Sequence, residues 1–246
     1  KTLANILLKT EEVLLVEKPD AVLILGDTNS SISSIIARKL QIPIYHVEAG
    51  NRCFDLNVPE EINRRLIDHI ADFNLVYTDH ARNHLLSEGL EHRRIILTGS
   101  PMKEVLDHYR QNIIKSQILE KMRLETGKYL VASFHREENV DNPERLRELF
   151  KSLSLAADKF KMPVILSTHP RTFKRINDYE IKSSSTIKIS KPFGFFDYNC
   201  LQINSFCSIS DSGTIAEESS LLGFPAITPR DSIERPEAID SGSIIL

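Results

Sequence analysis

No stretch of the chain approaches the roughly 20 consecutive apolar residues a helix needs to cross a bilayer. The opening Lys1-Thr2-Leu3-Ala4-Asn5 does not have the form of a signal peptide either. Both absences point to a cytoplasmic protein without a membrane partner. Positive charge is not in excess: 31 Lys and Arg stand against 34 Asp and Glu, a net charge of -3, and no basic run forms a tail. A nucleic-acid partner is therefore not expected. Cysteine is scarce, with Cys53, Cys200 and Cys207 in no CxxC spacing. That argues against both a disulfide framework and a zinc site. No HExxH or comparable pattern occurs, so neither a metal nor another cofactor is expected. Low-complexity sequence is confined to Ser183-Ser184-Ser185, and no repeat recurs at a solenoid period.

What is there is the composition of a globular chain. Its 246 residues, 41% hydrophobic and 26% charged, suffice for one large domain or two modest ones. Residues 3–17 have helical apolar spacing that Pro19 ends, and Ala21-Val22-Leu23-Ile24-Leu25 is a continuous apolar run. Such a run reads as a parallel strand buried on both faces. Helices are expected over 31–40, 59–70 and 79–86, the last capped by Asp79, with strands over 42–47, 73–77 and 94–97. After a polar helical stretch, 109–126, the alternation resumes. Strands fall at 129–134, 163–167, 186–189, 206–210 and 224–228, with helices over 144–160 and near 197–203. Strands alternating with helices at this spacing mean βαβ units. The expected fold is α/β, two doubly wound parallel-sheet domains over residues 1–115 and 116–246.

In open parallel sheets ligands sit beyond the carboxyl ends of the strands. Asp27, Glu48, Thr98-Gly99, His135-Arg136, His169 and Ser212-Gly213 all fall just past one. If the two domains face each other, these residues line one cleft. Asp27, Glu48 and Glu60 on the first domain have the chemistry of general acids and bases. A helix start favours an ionised carboxylate and a close neighbour favours a protonated one. The plainer reading is that Asp27 and Glu60 cap helices and Glu48 is a solvated strand end. On the second domain, Ser212, Gly213 and Thr214 open a helix whose N–H groups and dipole suit a phosphate, with Glu217 and Glu218 one turn on to meet hydroxyls. The same Asp-Ser-Gly text also serves as a turn with an N-cap. His135, Arg136 and Arg235 could hold a diphosphate, although Arg235 also has Glu234 and Glu237 as pairing partners. Phe193 and Tyr198 either enclose a base or belong to the core. His46, His69, His80, His84, His92 and His108 lack partners at ligand spacing and read as surface or packing residues. Carboxylates on one domain and cationic groups on the other suggest a nucleotide sugar.

Seven segments carry a resemblance. They are Gly26-Asp27-Thr28, His46-Val47-Glu48-Ala49-Gly50, Pro59-Glu60-Glu61-Ile62-Asn63-Arg64, Thr98-Gly99, His135-Arg136-Glu137-Glu138-Asn139, Asp211-Ser212-Gly213-Thr214-Ile215-Ala216-Glu217-Glu218 and Glu234-Arg235-Pro236-Glu237. Their order and approximate spacing resemble the non-hydrolysing UDP-N-acetylglucosamine 2-epimerase family over essentially the whole chain. The wording of residues 48–60 and 134–140 is most similar to the branch that forms UDP-N-acetyl-L-fucosamine from its talosamine epimer for capsule and O-antigen. The resemblance implies two Rossmann-like domains around a cleft, as in GT-B glycosyltransferases. It implies inversion of C2 in a UDP-N-acetylhexosamine, by anti elimination of UDP to a 2-acetamidoglucal and syn re-addition. It places Asp27, Glu48, Glu60 and His135 at catalytic positions. Arg136, Ser212, Gly213, Thr214, Glu218 and Arg235 then fall at the UDP, with Phe193 and Tyr198 near the uridine. The full-length protein is expected to be a homodimer.

Two departures shape the expectation. Family members usually begin with a strand and a Gly-Thr-Arg-Pro-Glu loop, and end in a helix that packs back across the domains. Neither is present between Lys1 and Leu246, so the chain reads as a fragment with an incomplete first domain. Glu137 stands where the family commonly has a second arginine, so an effector site using that arginine is not expected. A retaining glycosyltransferase of similar fold and an inactive UDP-sugar-binding fragment are the competing readings.

Overall fold

The structure is a computed structural model and describes residues 1–230, 237–240, 242, 244 and 245. It is an α/β protein with two parallel sheets in two compact units, the first Lys1–Pro101 and the second beginning at Met102.

In the first unit α1 (Thr2–Glu17) leads to β1 (Val22–Leu25), and the chain continues through α2 (Ser34–Lys39), β2 (Ile44–Ala49), α3 (Pro59–Ile70), β3 (Phe73–Val76), α4 (Asp79–Ser87) and β4 (Ile95–Leu97). The strands lie in sequence order, all neighbours parallel, with β1 at one edge. Local chemistry sets the boundaries. Lys18 turns left-handed to end α1 just before Pro19, and Pro59 occupies the first turn of α3. The cap of α4 is Thr78, whose hydroxyl accepts the Ala81 N–H at 3.1 Å, and the expected cap Asp79 is the first helical residue. Leu14, Ala37 and Ile67, from α1, α2 and α3, pack against Ile24 and Ile44 of the sheet. Burying an Ile or Leu completely is worth about 1.5–3 kcal/mol over leaving it exposed. The expectation of a strand buried on both faces fails at β1, where Leu23 and Leu25 are 70% and 66% exposed. The helices of this unit place their buried residues on the Ile24 side.

The second unit runs α5 (Met102–Ile114), α6 (Ile118–Met122), β5 (Leu130–Phe134), α7 (Glu137–Val140), α8 (Pro143–Phe160), β6 (Val164–Thr168), α9 (Pro170–Asp178), β7 (Ile187–Ser190), α10 (Phe195–Asn204), β8 (Cys207–Ser210), α11 (Ile215–Leu222), β9 (Ala226–Ile227), α12 (Glu237–Asp240) and β10 (Ile244–Ile245). Its sheet has the order β10-β9-β8-β5-β6-β7 and is parallel throughout. Both faces are covered. Leu130, Ala132 and Phe134 pack on Leu146, Phe150 and Leu153 of α8, while Tyr129 and Val131 pack on Leu106 and Ile113 of α5 and Leu201 of α10. The second unit begins at Met102, and α5 belongs to it through Leu106 and Ile113, which lie in its core. Successive strands run outward one way from β5 to β7 and the other way from β8 to β10. The chain therefore reverses direction between β5 and β8, and such a switch point is where open parallel sheets bind ligands. Among the described residues no helix is long and apolar enough to cross a membrane, and the three cysteines are free thiols.

Candidate functional site

In the first unit the expected carboxylates lie around the tips of β1 and β2. β1 ends at Gly26, which takes φ +74°, and Asp27 follows. β2 ends irregularly: its register with β3 shifts between Val47 and Ala49, and Glu48 in between has φ +71°. A left-handed glutamate at a bulge is strained, and such strain persists where the surrounding structure re-aims a side chain. Here it turns the Glu48 carboxylate across Gly26, whose missing Cβ would meet Oε2 at 3.5 Å.

Helix α3 fixes Asp27. Arg64 donates from Nε to Asp27 Oδ2 at 2.8 Å, with a terminal nitrogen 2.7 Å from the same oxygen, and Asn63 donates to the Asp27 carbonyl at 2.9 Å. The two glutamates after Pro59 differ in kind. Glu61 is fully buried and accepts the Cys53 N–H at 3.0 Å and Arg65 Nε at 2.8 Å, with Arg64 3.1 Å away. Burial pushes its carboxyl up, but the Cys53 N–H, Arg65 and Arg64 outweigh that and hold it below the usual carboxylate range. Glu60 is half-buried on the preceding position, one turn before Asn63 and Arg64. His46, read as a packing residue, is fully buried and bridges Asp68 Oδ1 at 2.7 Å and the Gly26 carbonyl at 3.2 Å. It thus supports the turn that carries Asp27.

In the second unit the site residues gather at the β5/β8 switch point. Asp211, just past β8 and fully buried, accepts the N–H of His135 at 3.0 Å, the N–H of Arg136 at 3.1 Å and Asn139 Nδ2 at 3.0 Å. His135 Nδ1 lies 3.0 Å from Asp211 Oδ1. Burial pushes the Asp211 carboxyl up, and the donors from His135, Asn139 and Arg136 hold it below the usual range. Arg136 reaches over the start of α11, where a Cβ on Gly213 would meet its guanidinium at 3.4 Å. Of the N–H groups expected to greet an anion, that of Ser212 donates to Ser210 Oγ at 3.2 Å and that of Thr214 makes a long 3.4 Å contact with Ser212 Oγ. Glu218 is held on both oxygens, by the Thr214 hydroxyl at 2.8 Å and Gln202 Nε2 at 3.0 Å.

Phe193 and Tyr198 pack against the apolar cluster of Tyr129, Val131 and Leu201. Burial, with Glu218 adding to it, pushes the Tyr198 phenol well above its ordinary value. Arg235 lies outside the described residues. Asp211, Arg64, Asn63 and Glu61 stand in the segments that carry the resemblance but have no role assigned from sequence, His46 reads there as a surface or packing residue, and Gln202 is not named at all. For Asn63 and Arg64 a signal existed, since they stand three and four positions after Glu60 on one helical face. The arrangement can exchange protons through carboxylates in the first unit and receive an anion at strand tips in the second.

A family model described as UDP-N-acetylglucosamine 2-epimerase matches residues 1–246. The chain is 39% identical over 253 residues to the UDP-N-acetylglucosamine 2-epimerase of Methanocaldococcus jannaschii, covering 98% of this chain and 68% of that one. A crystal structure of the archaeal protein in complex with UDP-GlcNAc and UDP matches with a TM-score of 0.90 at 38% identity, over 99% of this chain and 69% of that one. The structure of UDP-N-acetylglucosamine 2-epimerase from Rickettsia bellii matches with a TM-score of 0.89 at 46% identity, over 99% and 65%. A Pseudomonas aeruginosa relative, UDP-2,3-diacetamido-2,3-dideoxy-D-glucuronate 2-epimerase, is 33% identical over 245 residues, covering 98% and 67%. The chain spans about two thirds of the length of these relatives. Because the family match runs from residue 1 to residue 246, the chain belongs to the UDP-N-acetylglucosamine 2-epimerase family of isomerases.

Proposed function

We propose that the protein inverts C2 of a UDP-N-acetylhexosamine. The observation that carries this reading beyond family membership is the placement of Arg136 against Gly213 at the start of α11. A guanidinium and the positive end of a helix dipole repel each other, and an anion received between them turns that repulsion into two attractions. A diphosphate supplies such an anion. In the reaction, a carboxylate among Asp27, Glu48 and Glu60 takes the C2 proton, and the C1–O bond breaks with its electron pair passing to the departing UDP. Arg136, His135 and the start of α11 stabilise that charge. Re-addition of UDP to the 2-acetamidoglucal, with protonation of C2 from the other face, gives the epimer, so no redox cofactor enters the balance.

The motif wording favours the talosamine and fucosamine pair, with UDP-GlcNAc and UDP-ManNAc as the other candidates. The role that fits is supply of surface-polysaccharide precursors by a cytoplasmic homodimer. The Pseudomonas relative is a 2-epimerase of another UDP-sugar by its name, and a substrate panel separates these candidates. Incubation with a panel of UDP-N-acetylhexosamines in deuterated water, followed by NMR, should give a C2 epimer with deuterium at C2. Epimer without deuterium would remove the elimination route, and transfer of sugar to an acceptor without a C2 epimer would make the protein a glycosyltransferase.

A further inference from the structure

At the β5/β8 switch point one buried carboxylate organises the histidine loop. Asp211 is 0% exposed and receives the main-chain N–H groups of His135 and Arg136 and the side chain of Asn139. The contact with His135 Nδ1, at 3.0 Å, is of another kind. The main-chain bonds fix where the residue sits, whereas the Nδ1 contact decides how its ring is turned and which nitrogen carries a proton. An ionised carboxylate can only accept, so Nδ1 must be the N–H in this pair. Burial and the accumulated donors agree with that ionised form, since together they leave the Asp211 carboxyl below its usual range. The His135 side chain is 41% exposed while that of Asp211 is fully enclosed, so the ring's other edge, with Nε2, is the part left for a ligand.

We propose that Asp211 is a positioning residue for His135, fixing the Nδ1–H tautomer so that Nε2 alone meets the diphosphate leaving group. A carboxylate behind a histidine does the same in serine proteases, holding the ring's tautomer and orientation without giving up its own ionisation. The Nε2 left unprotonated in the neutral ring takes a proton from solvent as the diphosphate binds. In the elimination the C1–O electron pair passes to a diphosphate oxygen, and the imidazolium hydrogen-bonds that oxygen through Nε2–H. Asp211, across the ring, balances the imidazolium charge. On re-addition the oxygen attacks C1 and Nε2 releases it.

The kinetic part of this inference rests on the epimerase reading, and the spectroscopic part does not. In the wild-type chain labelled with 15N-histidine, long-range 1H–15N correlation reads the tautomer of each ring at a pH where it is neutral, and the signal missing from a His135→Gln variant assigns His135. The expected result is a protonated Nδ1 and an unprotonated Nε2. Free imidazole side chains favour the opposite tautomer, so a predominant Nε2–H signal at His135 would overturn the proposal with no variant of Asp211 needed. For Asp211→Asn, kcat should fall by about 100-fold or more, and adding Asp211→Asn to His135→Gln should lower kcat no further than His135→Gln alone. If the double variant fell well below His135→Gln, Asp211 would be a loop anchor acting also through Arg136 and Asn139, and the positioning role would be withdrawn. If the tautomer were as expected in a chain with no epimerase activity, the function would fail and the Asp211–His135 pairing would stand.

Discussion

Arg64 sets two guanidinium nitrogens on one oxygen of Asp27, Nε at 2.8 Å and a terminal nitrogen at 2.7 Å. The carboxylate's rotation is thereby fixed, and Asn63 fixes the main chain beside it through the Asp27 carbonyl. Lysine keeps the charge but has no planar fork. Arg64→Lys should lower kcat by roughly 10- to 100-fold, the range expected when a catalytic group is misplaced by about 1 Å. UDP affinity should hold, because the residues assigned to the diphosphate lie in the other unit. Unchanged kcat and KM in the lysine variant would end the idea that Arg64 positions Asp27. Arg64→Met is the harsher change. It leaves the buried Glu61 short of a partner, and removing one member of a buried pair costs about 3–5 kcal/mol.

The φ of +71° at Glu48 predicts that stability and activity separate there. A non-glycine residue in the left-handed region costs roughly 1–2 kcal/mol, and glycine avoids that while giving back about 0.5–1 kcal/mol through the unfolded chain. Glu48→Gly and Glu48→Ala both remove the carboxylate and should both lose epimerisation, so they differ mainly in the backbone. Glu48→Gly should be the more stable of the two by about 0.5–1 kcal/mol. Equal stability of the two variants in chemical denaturation would show that the backbone there is not strained.

Much of the fold was legible because apolar runs and helical periods are local. The strand tips bearing Asp27, Glu48, His135 and Ser212 could be placed without coordinates, since each follows such a run. Relations of a tertiary kind could not be read. Arg64 and Asp27 are 37 residues apart in sequence, and Asp211 meets His135 across two strands that adjoin only because the chain reverses at β5/β8. In sequence Asp211 reads as part of a turn, and burial makes it a hub. Exposure misled in the other direction at Leu23 and Leu25, whose apolar text looks the same whether or not a second layer covers them. Helix α9 was not read at all, being short and polar apart from Phe173 and Ile176. The left-handed turn at Glu48 has no signature in the residue type.

Gly50 and Gly89 make a matched pair for testing close approach against backbone preference. Both have positive φ, +80° and +88°. A Cβ on Gly50 would lie 2.4 Å from the Ala81 carbonyl oxygen, which is main chain and cannot step aside, whereas a Cβ on Gly89 meets nothing within 4 Å. Gly89→Ala should cost only the backbone term, about 1 kcal/mol. Gly50→Ala adds a clash between β2 and α4, and a loss of more than about 3 kcal/mol is expected. Chemical denaturation of the two variants checks the ordering, and equal losses would refute the clash.

Acid should loosen both units, and the sign follows from the direction of the shifts. Glu61 in the first unit and Asp211 in the second are fully buried and have carboxyls held below the usual range. A carboxylate with a lower pKa folded than unfolded gives up its proton more readily in the folded chain. It therefore stabilises the fold at pH above the unfolded value, about 3.9 for Asp and 4.3 for Glu. That stabilisation is lost as pH falls through the lower, folded value, at about 1.4 kcal/mol for each unit between them. Stability from these groups should thus be flat from neutral pH to about pH 5 and decline below about pH 4. Asp211→Asn removes one of the two groups, so it should be less stable at pH 7 but lose less on acidification than the wild type. Glu61→Gln should act the same way through the first unit, and since the two residues lie in different units, the double variant should show the sum. Urea midpoints measured at pH 7 and pH 3.5 test this directly. A wild-type acid decline left unaltered by either substitution would mean that other carboxylates carry it.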